Sequence, residues 1–182
     1  MKMEADLDGI LGGYAGSFSR KVYGQENEDS DLLMRAFGIT PELKRENRQY
    51  WGRELGKCWE ALVVRACQNS DEFSPALRIG TDEPCDLRVG QNAIDTKYRV
   101  GSGDSGTLKK FRQYGSLLKE HGYQPVFLFL REDNLPAAIT ACKAGGWRTL
   151  FGDESFEFIK EISGFDMKNY LVSREAAYLV HR

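Results

Sequence analysis

Pro84-Cys85-Asp86-Leu87-Arg88-Val89-Gly90-Gln91-Asn92-Ala93-Ile94-Asp95-Thr96-Lys97-Tyr98-Arg99 is the stretch on which the rest of the chain is read. Leu87 and Val89 alternate with Asp86 and Arg88; Ile94, Thr96, Tyr98 and Val100 alternate with Ala93, Asp95, Lys97 and Arg99. A period of two marks a strand with two unlike faces. Gly90-Gln91 between the runs suits a two-residue type II′ turn, so a β-hairpin is expected. Such a loop pairs Val89 with Asn92, Arg88 with Ala93, Leu87 with Ile94 and Asp86 with Asp95. The last pair sets two carboxylates about 5 Å apart at Cβ, which destabilises a sheet. A divalent cation between them would remove that repulsion. Lys97 lies on the face of Asp95. The competing reading is a solvated strand face carrying a weak surface ion pair.

Working outward, Thr40-Pro41 opens a helix with a cap, a proline in the first turn and Glu42 beside it. The helical pattern runs to about Gln68 with a break expected near Gly52, and buries Leu55, Trp59, Leu62, Val63 and Ala66. Asn69 to Pro75 reads as a loop and Ala76 to Gly80 as a short strand. After the hairpin, a helix is expected from Thr107 to about His121, capped by Thr107 or Ser105 and closed by Gly122. Pro125 to Arg131 is near-continuously apolar, as in a central strand covered on both faces. A helix over Pro136–Ala144, a strand over Trp147–Phe151 and a helix over Asp153–Ile162 follow. Upstream, Leu32 to Phe37 reads as a short helix ending at Gly38. The aromatics Tyr14, Phe18 and Tyr23 are expected to pack on the core, with a flexible or partner-contacting arm as the alternative. The fold class is therefore α/β, a mixed sheet flanked by helices.

The chain has 182 residues, 41% hydrophobic and 29% charged, which suits one globular domain with a sizeable core. Its parts are an arm or subdomain over 1–40, a core over 41–151 and a helical extension over 152–182. The formal net charge of -2 says nothing for nucleic acid, so only local clustering could. No apolar run reaches the length of a membrane span, and residues 1–6 lack the apolar core of a signal peptide. Cys58, Cys67, Cys85 and Cys142 form no CxxC pair and stand apart from His121 and His181, which argues against structural zinc and for a reduced, cytoplasmic setting.

Gly101, Gly103 and Gly106 satisfy GxGxxG between a strand and a helix. The preceding strand carries Asp95, Lys97 and Arg99, whereas dinucleotide-binding strands are apolar on both faces. The local charge points to a different polyanion: Lys97, Arg99, Lys109, Lys110 and Arg112 stand against Asp104 alone. A Gly/Ser loop with Ser102 and Ser105 at a helix N-terminus offers backbone amides to phosphate, and the basic side chains add sequence-independent contacts. A solvated basic helix face is the alternative.

Pro84-Cys-Asp86 followed on the next strand by Asp95-Thr-Lys97 resembles the PD-(D/E)xK nuclease superfamily, and Gly56-x-x-x-Glu60 resembles the acidic helix of that group. The likeness runs from about Gly52 to Phe151, includes the element order, and is greatest to small type II restriction endonucleases of the ApaLI-like kind. Cys85 makes the first motif Pro-x-Asp, so a role for Pro84 stays open. The resemblance implies a restriction-endonuclease-like αβββαβ core and Mg²⁺ held by Asp86, Asp95 and the Thr96 carbonyl. Lys97 would orient the attacking water, and Glu60 would serve as an outer or second-metal ligand, with Glu54 a weaker substitute. It also implies double-stranded DNA as substrate and a homodimer matched to a palindromic target. Arg45, Arg48, Gln49, Arg53, Arg99, Lys109 and Arg112 are base-reading candidates by residue type. A junction-resolving or repair nuclease with this core is a second reading, and an inactive DNA-binding module a third.

Overall fold

The hairpin forms in the expected register. In a computed structural model, which describes residues 2–20 and 23–181, β2 (Asp82–Val89) and β3 (Asn92–Lys97) pair antiparallel as Leu87↔Ile94, Arg88↔Ala93 and Val89↔Asn92. Gly90 takes a φ of 57° and Gln91 does not enter the left-handed region, which is the sign pattern of a type II′ turn. β1 (Phe73–Ile79) pairs antiparallel with β2 along the sheet edge. The strand thus begins inside the segment expected as a loop, and edge placement lets it carry Pro75.

Beyond β3 the chain alternates: α5 (Ser105–Glu120), β4 (Gln124–Phe129), α6 (Pro136–Ala144), β5 (Arg148–Phe151) and α7 (Asp153–Ser163). β4 runs parallel to β3 and β5 parallel to β4, giving a five-stranded mixed sheet in the order β1-β2-β3-β4-β5. The architecture is mixed α/β, with helices on both faces. Asp104 caps α5, accepting from the Thr107 amide, in place of the expected Thr107 or Ser105: its carboxylate is already one turn back in extended backbone.

β4 shows why its sequence is apolar throughout. Val126, Leu128 and Leu130 face one core with Leu55, Trp59 and Val63; Phe127 and Phe129 face the other with Phe111, Ala138, Ala141 and Trp147. The indole of Trp59 donates to the Leu128 carbonyl at 3.1 Å and that of Trp147 to the Phe111 carbonyl at 2.7 Å, so each large ring buries its apolar body and satisfies its one donor. The helix ahead of β1 is α4 (Arg48–Cys67), and α3 (Pro41–Glu46) precedes it. The break between them falls at Asn47, whose side chain caps α4 through the Tyr50 amide; Gly52, the expected break, lies inside α4. α7 packs on α4 and β5, so it belongs to the sheet's helical cover and is not an appended extension. α8 (Met167–Val172) packs on α7 and on α2 (Leu32–Phe37). No helix of the described residues is long and apolar enough to cross a membrane.

A strap, residues 23–31, crosses the C-terminal end of β3 and is fastened there by a polar network. Arg131, 5% exposed, bonds Asp31 and Asp133 through its guanidinium and also reaches the Asp29 carbonyl and Asn27. The Tyr98 hydroxyl donates to Asp31 and receives the Lys44 ammonium at 2.6 Å, while Lys44 also pairs with Glu26. Arg99 donates to Asp133 and to the Gly24 carbonyl. Every buried charge here has an opposite charge in contact, which is what makes the burial tolerable. Arg131→Met should therefore cost about 3–5 kcal/mol by stranding Asp31 and Asp133. Thermal denaturation would register roughly a 10 °C loss in melting temperature.

Candidate active site

The β2–β3 ladder stops at Leu87↔Ile94, one step short of the expected Asp86–Asp95 pair. Asp86 does not lie opposite Asp95. Its Oδ2 instead accepts the Thr96 amide at 2.6 Å and the Thr96 hydroxyl at 2.8 Å. The strand rolls over at this point: Cys85 packs in the α5/α6 core, while Leu87, two residues on, packs in the α4/α7 core. Strict alternation would have kept both on one face. The strands thus part at Asp86, and its carboxylate replaces a backbone carbonyl as the partner of β3.

Asp95 and Lys97 follow the alternation onto the α5/α6 side, next to Phe127, which pairs with Asp95 across the parallel ladder. Lys97 Nζ donates to Asp95 Oδ1 and, at 3.0 Å, to the Thr96 carbonyl, and it stands 5.8 Å from the centre of the Phe127 ring. The Asp95 side chain is 14% exposed and that of Lys97 36%, so the pair is sunk but open to solvent. Burial pushes the Asp95 carboxyl up to about 7; Asp86 and Glu60 add to the rise and Lys97 opposes it. Burial alone would lower Lys97, but Asp95, Asp86 and Glu60 more than reverse it, so the ammonium stays charged. Glu60, exposed on α4, is raised by partial burial, by Asp86 and by Glu83, against the pull of Lys97. Asp86, Asp95, Glu60 and Lys97 therefore share one electrostatic neighbourhood, three carboxylates to one ammonium. Among the described residues, no three His, Cys, Asp or Glu side chains are gathered to enclose a metal ion by themselves. Glu54, the weaker substitute, is occupied by Arg53 and Lys57 on the exposed face of α4.

Cys85 is no nucleophile: it is buried, and its thiol is pushed up to about 11 by that burial. All four cysteines are free thiols.

The polar candidates for nucleic-acid contact divide into two groups. Arg48, Gln49, Arg53, Arg99 and Ser102 line a groove of about 720 Å³ between the strap, the start of α4 and the loop after β3; Tyr98, next to Lys97, forms part of its wall. Lys110 and Arg112 line a hollow of about 530 Å³ on α5, with Tyr114, whose hydroxyl donates to Asp82 at 2.8 Å. Lys109 and Ser105 are exposed at the start of α5. Arg45 lies outside both, paired with Glu28 and Glu42. Arg99 reaches the groove wall but commits its guanidinium to Asp133 and Gly24, so it holds the strap. Ser102 forms a bridge with Tyr23.

The residues the sequence reading overlooked are those of the strap network. Arg131-Glu132-Asp133-Asn134 directly after an apolar strand was the signal, since charge at the end of a buried strand needs a partner.

No protein-family model, no curated protein and no solved structure matches this chain.

Proposed function

We propose that the chain is a Mg²⁺-dependent endonuclease of the PD-(D/E)xK kind, with a restriction-endonuclease-like core, cutting double-stranded DNA. One observation carries the reading: Lys97 bonds Asp95 and Asp86 bonds the intervening Thr96 where β2 and β3 part, leaving a carboxylate excess in a half-buried notch. A fold gains nothing in stability from a buried carboxyl raised to about 7. The element order from α4 to β5 lends further support.

The donors fit Mg²⁺. This ion takes one or two carboxylates, keeps several waters and completes its shell with substrate phosphate, so it does not require an all-protein cage. Asp86 and Asp95 would hold it, with the Thr96 carbonyl beside them, the oxygen now bonded by Lys97. When bound, Mg²⁺ supplies charge neutralisation at the phosphate and a lower pKa for water. Lys97, kept protonated by its carboxylate neighbours, orients the attacking water and offsets charge as the phosphorus–oxygen bond breaks. Glu60 supplies an outer acceptor for ordered water. Two copies, one per strand, suit a palindromic target, which favours a type II restriction enzyme.

Incubation of the purified chain with phage DNA should give discrete fragments in Mg²⁺ and none with EDTA, and Asp86→Ala should abolish them while DNA retention in Ca²⁺ persists. Cutting of branched junctions alone would move the assignment to a resolving nuclease. DNA retention without cleavage under any divalent cation would make the chain a binding module. Cleavage should also fall as pH drops through about 7, because Asp95 must lose its proton to serve as a ligand.

A further inference from the structure

The N-terminal helix α1 (Lys2–Arg20) carries the largest unexplained feature of the molecule. Leu7, Ile10, Leu11, Tyr14 and Phe18 are between 52% and 69% exposed, against the expectation that the aromatics of this segment pack on the core. α1 shares no packing layer with another element of the described residues. It also contains Gly9, Gly12, Gly13 and Gly16, each costing about 1 kcal/mol against Ala in a helix interior. At 19 residues α1 is little longer than the roughly 12–15 below which even alanine-rich helices are marginal alone, and its glycines remove that margin, so α1 needs its apolar stripe covered to persist.

We infer that α1 is covered by α1 of a second copy, packed antiparallel. The stripe is self-complementary. Leu7, Leu11, Tyr14 and Phe18 follow the 4-3-4 spacing of a coiled-coil seam, in which they occupy d, a, d and a. Two such seams run antiparallel about a two-fold axis set Leu11 against Tyr14 of the other copy and Leu7 against Phe18. Both layers then pair an aromatic with an aliphatic side chain, the arrangement that fills a layer without a void. Tyr14 and Phe18 already lie 5.9 Å apart between ring centres, which presents them as one surface. The side chains of the stripe would bury about 1,000 Å² across the pair, the lower bound for a specific interface. Asp6 and Asp8 flank the stripe and oppose docking on an anionic lipid surface. The inference rests on α1 alone and stands whether or not the chain cuts DNA.

Sedimentation of the full chain at tens of micromolar should give twice the 20.6 kDa chain mass. Leu11→Glu with Tyr14→Glu should give the single-chain mass with an unchanged melting temperature, because α1 lies outside the cores. A wild-type monomer over that range, or a dimer that survives the double substitution, overturns the proposal, as does a monomer that co-sediments with neutral lipid vesicles. Cysteine pairing tests the direction. A mixture of Leu7→Cys and Phe18→Cys chains should cross-link on oxidation, whereas Leu7→Cys alone should not, since its two copies lie about 16 Å apart along the axis. Cross-linking of Leu7→Cys alone, above the wild-type background, would mean parallel packing and would sink the antiparallel assignment.

Discussion

Lys97→Ala should lower the rate of duplex DNA cleavage in Mg²⁺ by about 10³-fold or more while leaving DNA retention in Ca²⁺ close to wild type. Among the described residues the ammonium is the one positive charge in contact with Asp95, and the Phe127 ring lies 5.8 Å from it. Under the proposed chemistry, replacing it removes the group that faces developing charge on the phosphate, while Ca²⁺ at the carboxylates keeps DNA binding intact. Lys97→Arg should not restore the rate, because a planar fork cannot occupy the position of a compact ammonium bonded to both Asp95 and the Thr96 carbonyl. Single-turnover cleavage of a linear plasmid separates these effects. Wild-type turnover in Lys97→Ala would remove the basis of the proposed chemistry.

Asp95→Asn should abolish cleavage and, unusually for a change at a half-buried position, make the fold more stable at pH 8. In the native chain this carboxyl holds its proton up to about 7, far above the ordinary value of 3.8. The folded state therefore binds the proton that the unfolded chain has already released, and stability falls as pH rises from about 4 to about 7. Above that range the buried charge is carried at full cost. The amide avoids the cost, so the variant's melting temperature should exceed wild type by a few degrees at pH 8, with the gap closing toward pH 4. Mg²⁺ should raise the melting temperature of the wild type at pH 8 and that of Asp95→Asn clearly less, because a neutral amide oxygen is a weaker ligand than a carboxylate and Asp86 alone keeps its charge. Calorimetry with and without Mg²⁺ at the two pH values reads the stability effects without any DNA present. If Asp95→Asn were the less stable protein at pH 8, the carboxylate would be there for structure.

The hairpin, the element order and the two-faced burial of β4 were legible because each depends on alternation or on a turn residue, both local properties. Asn92 and Val89 pair as the Gly90-Gln91 loop requires. Asp86 was legible as a candidate but its position was not: the roll that sends Cys85 and Leu87 into different cores arises from how two helical layers close on the sheet, and no period in the sequence records it. The Arg99 assignment met the same limit. A basic residue in a basic segment reads as a phosphate contact, and only Gly24 of the strap, 75 residues upstream, and Asp133, 34 residues downstream, turn it into a structural clamp. The stripe of α1 was not legible: Gly9, Gly12, Gly13 and Gly16 break the helical signal, and a run of aromatics reads by default as core.

The strap has a practical bearing on anyone shortening this protein. Residues 41–151 look like a self-sufficient unit, yet Asp31, Glu26 and Asn27 hold the groups at the end of the strand that carries Asp95 and Lys97. Tyr98 answers to that ring of charges and Lys97, its neighbour, to the notch. An excised fragment beginning at Thr40 would lose its clasp one peptide bond from Lys97, so an N-terminal deletion should stop short of Tyr23.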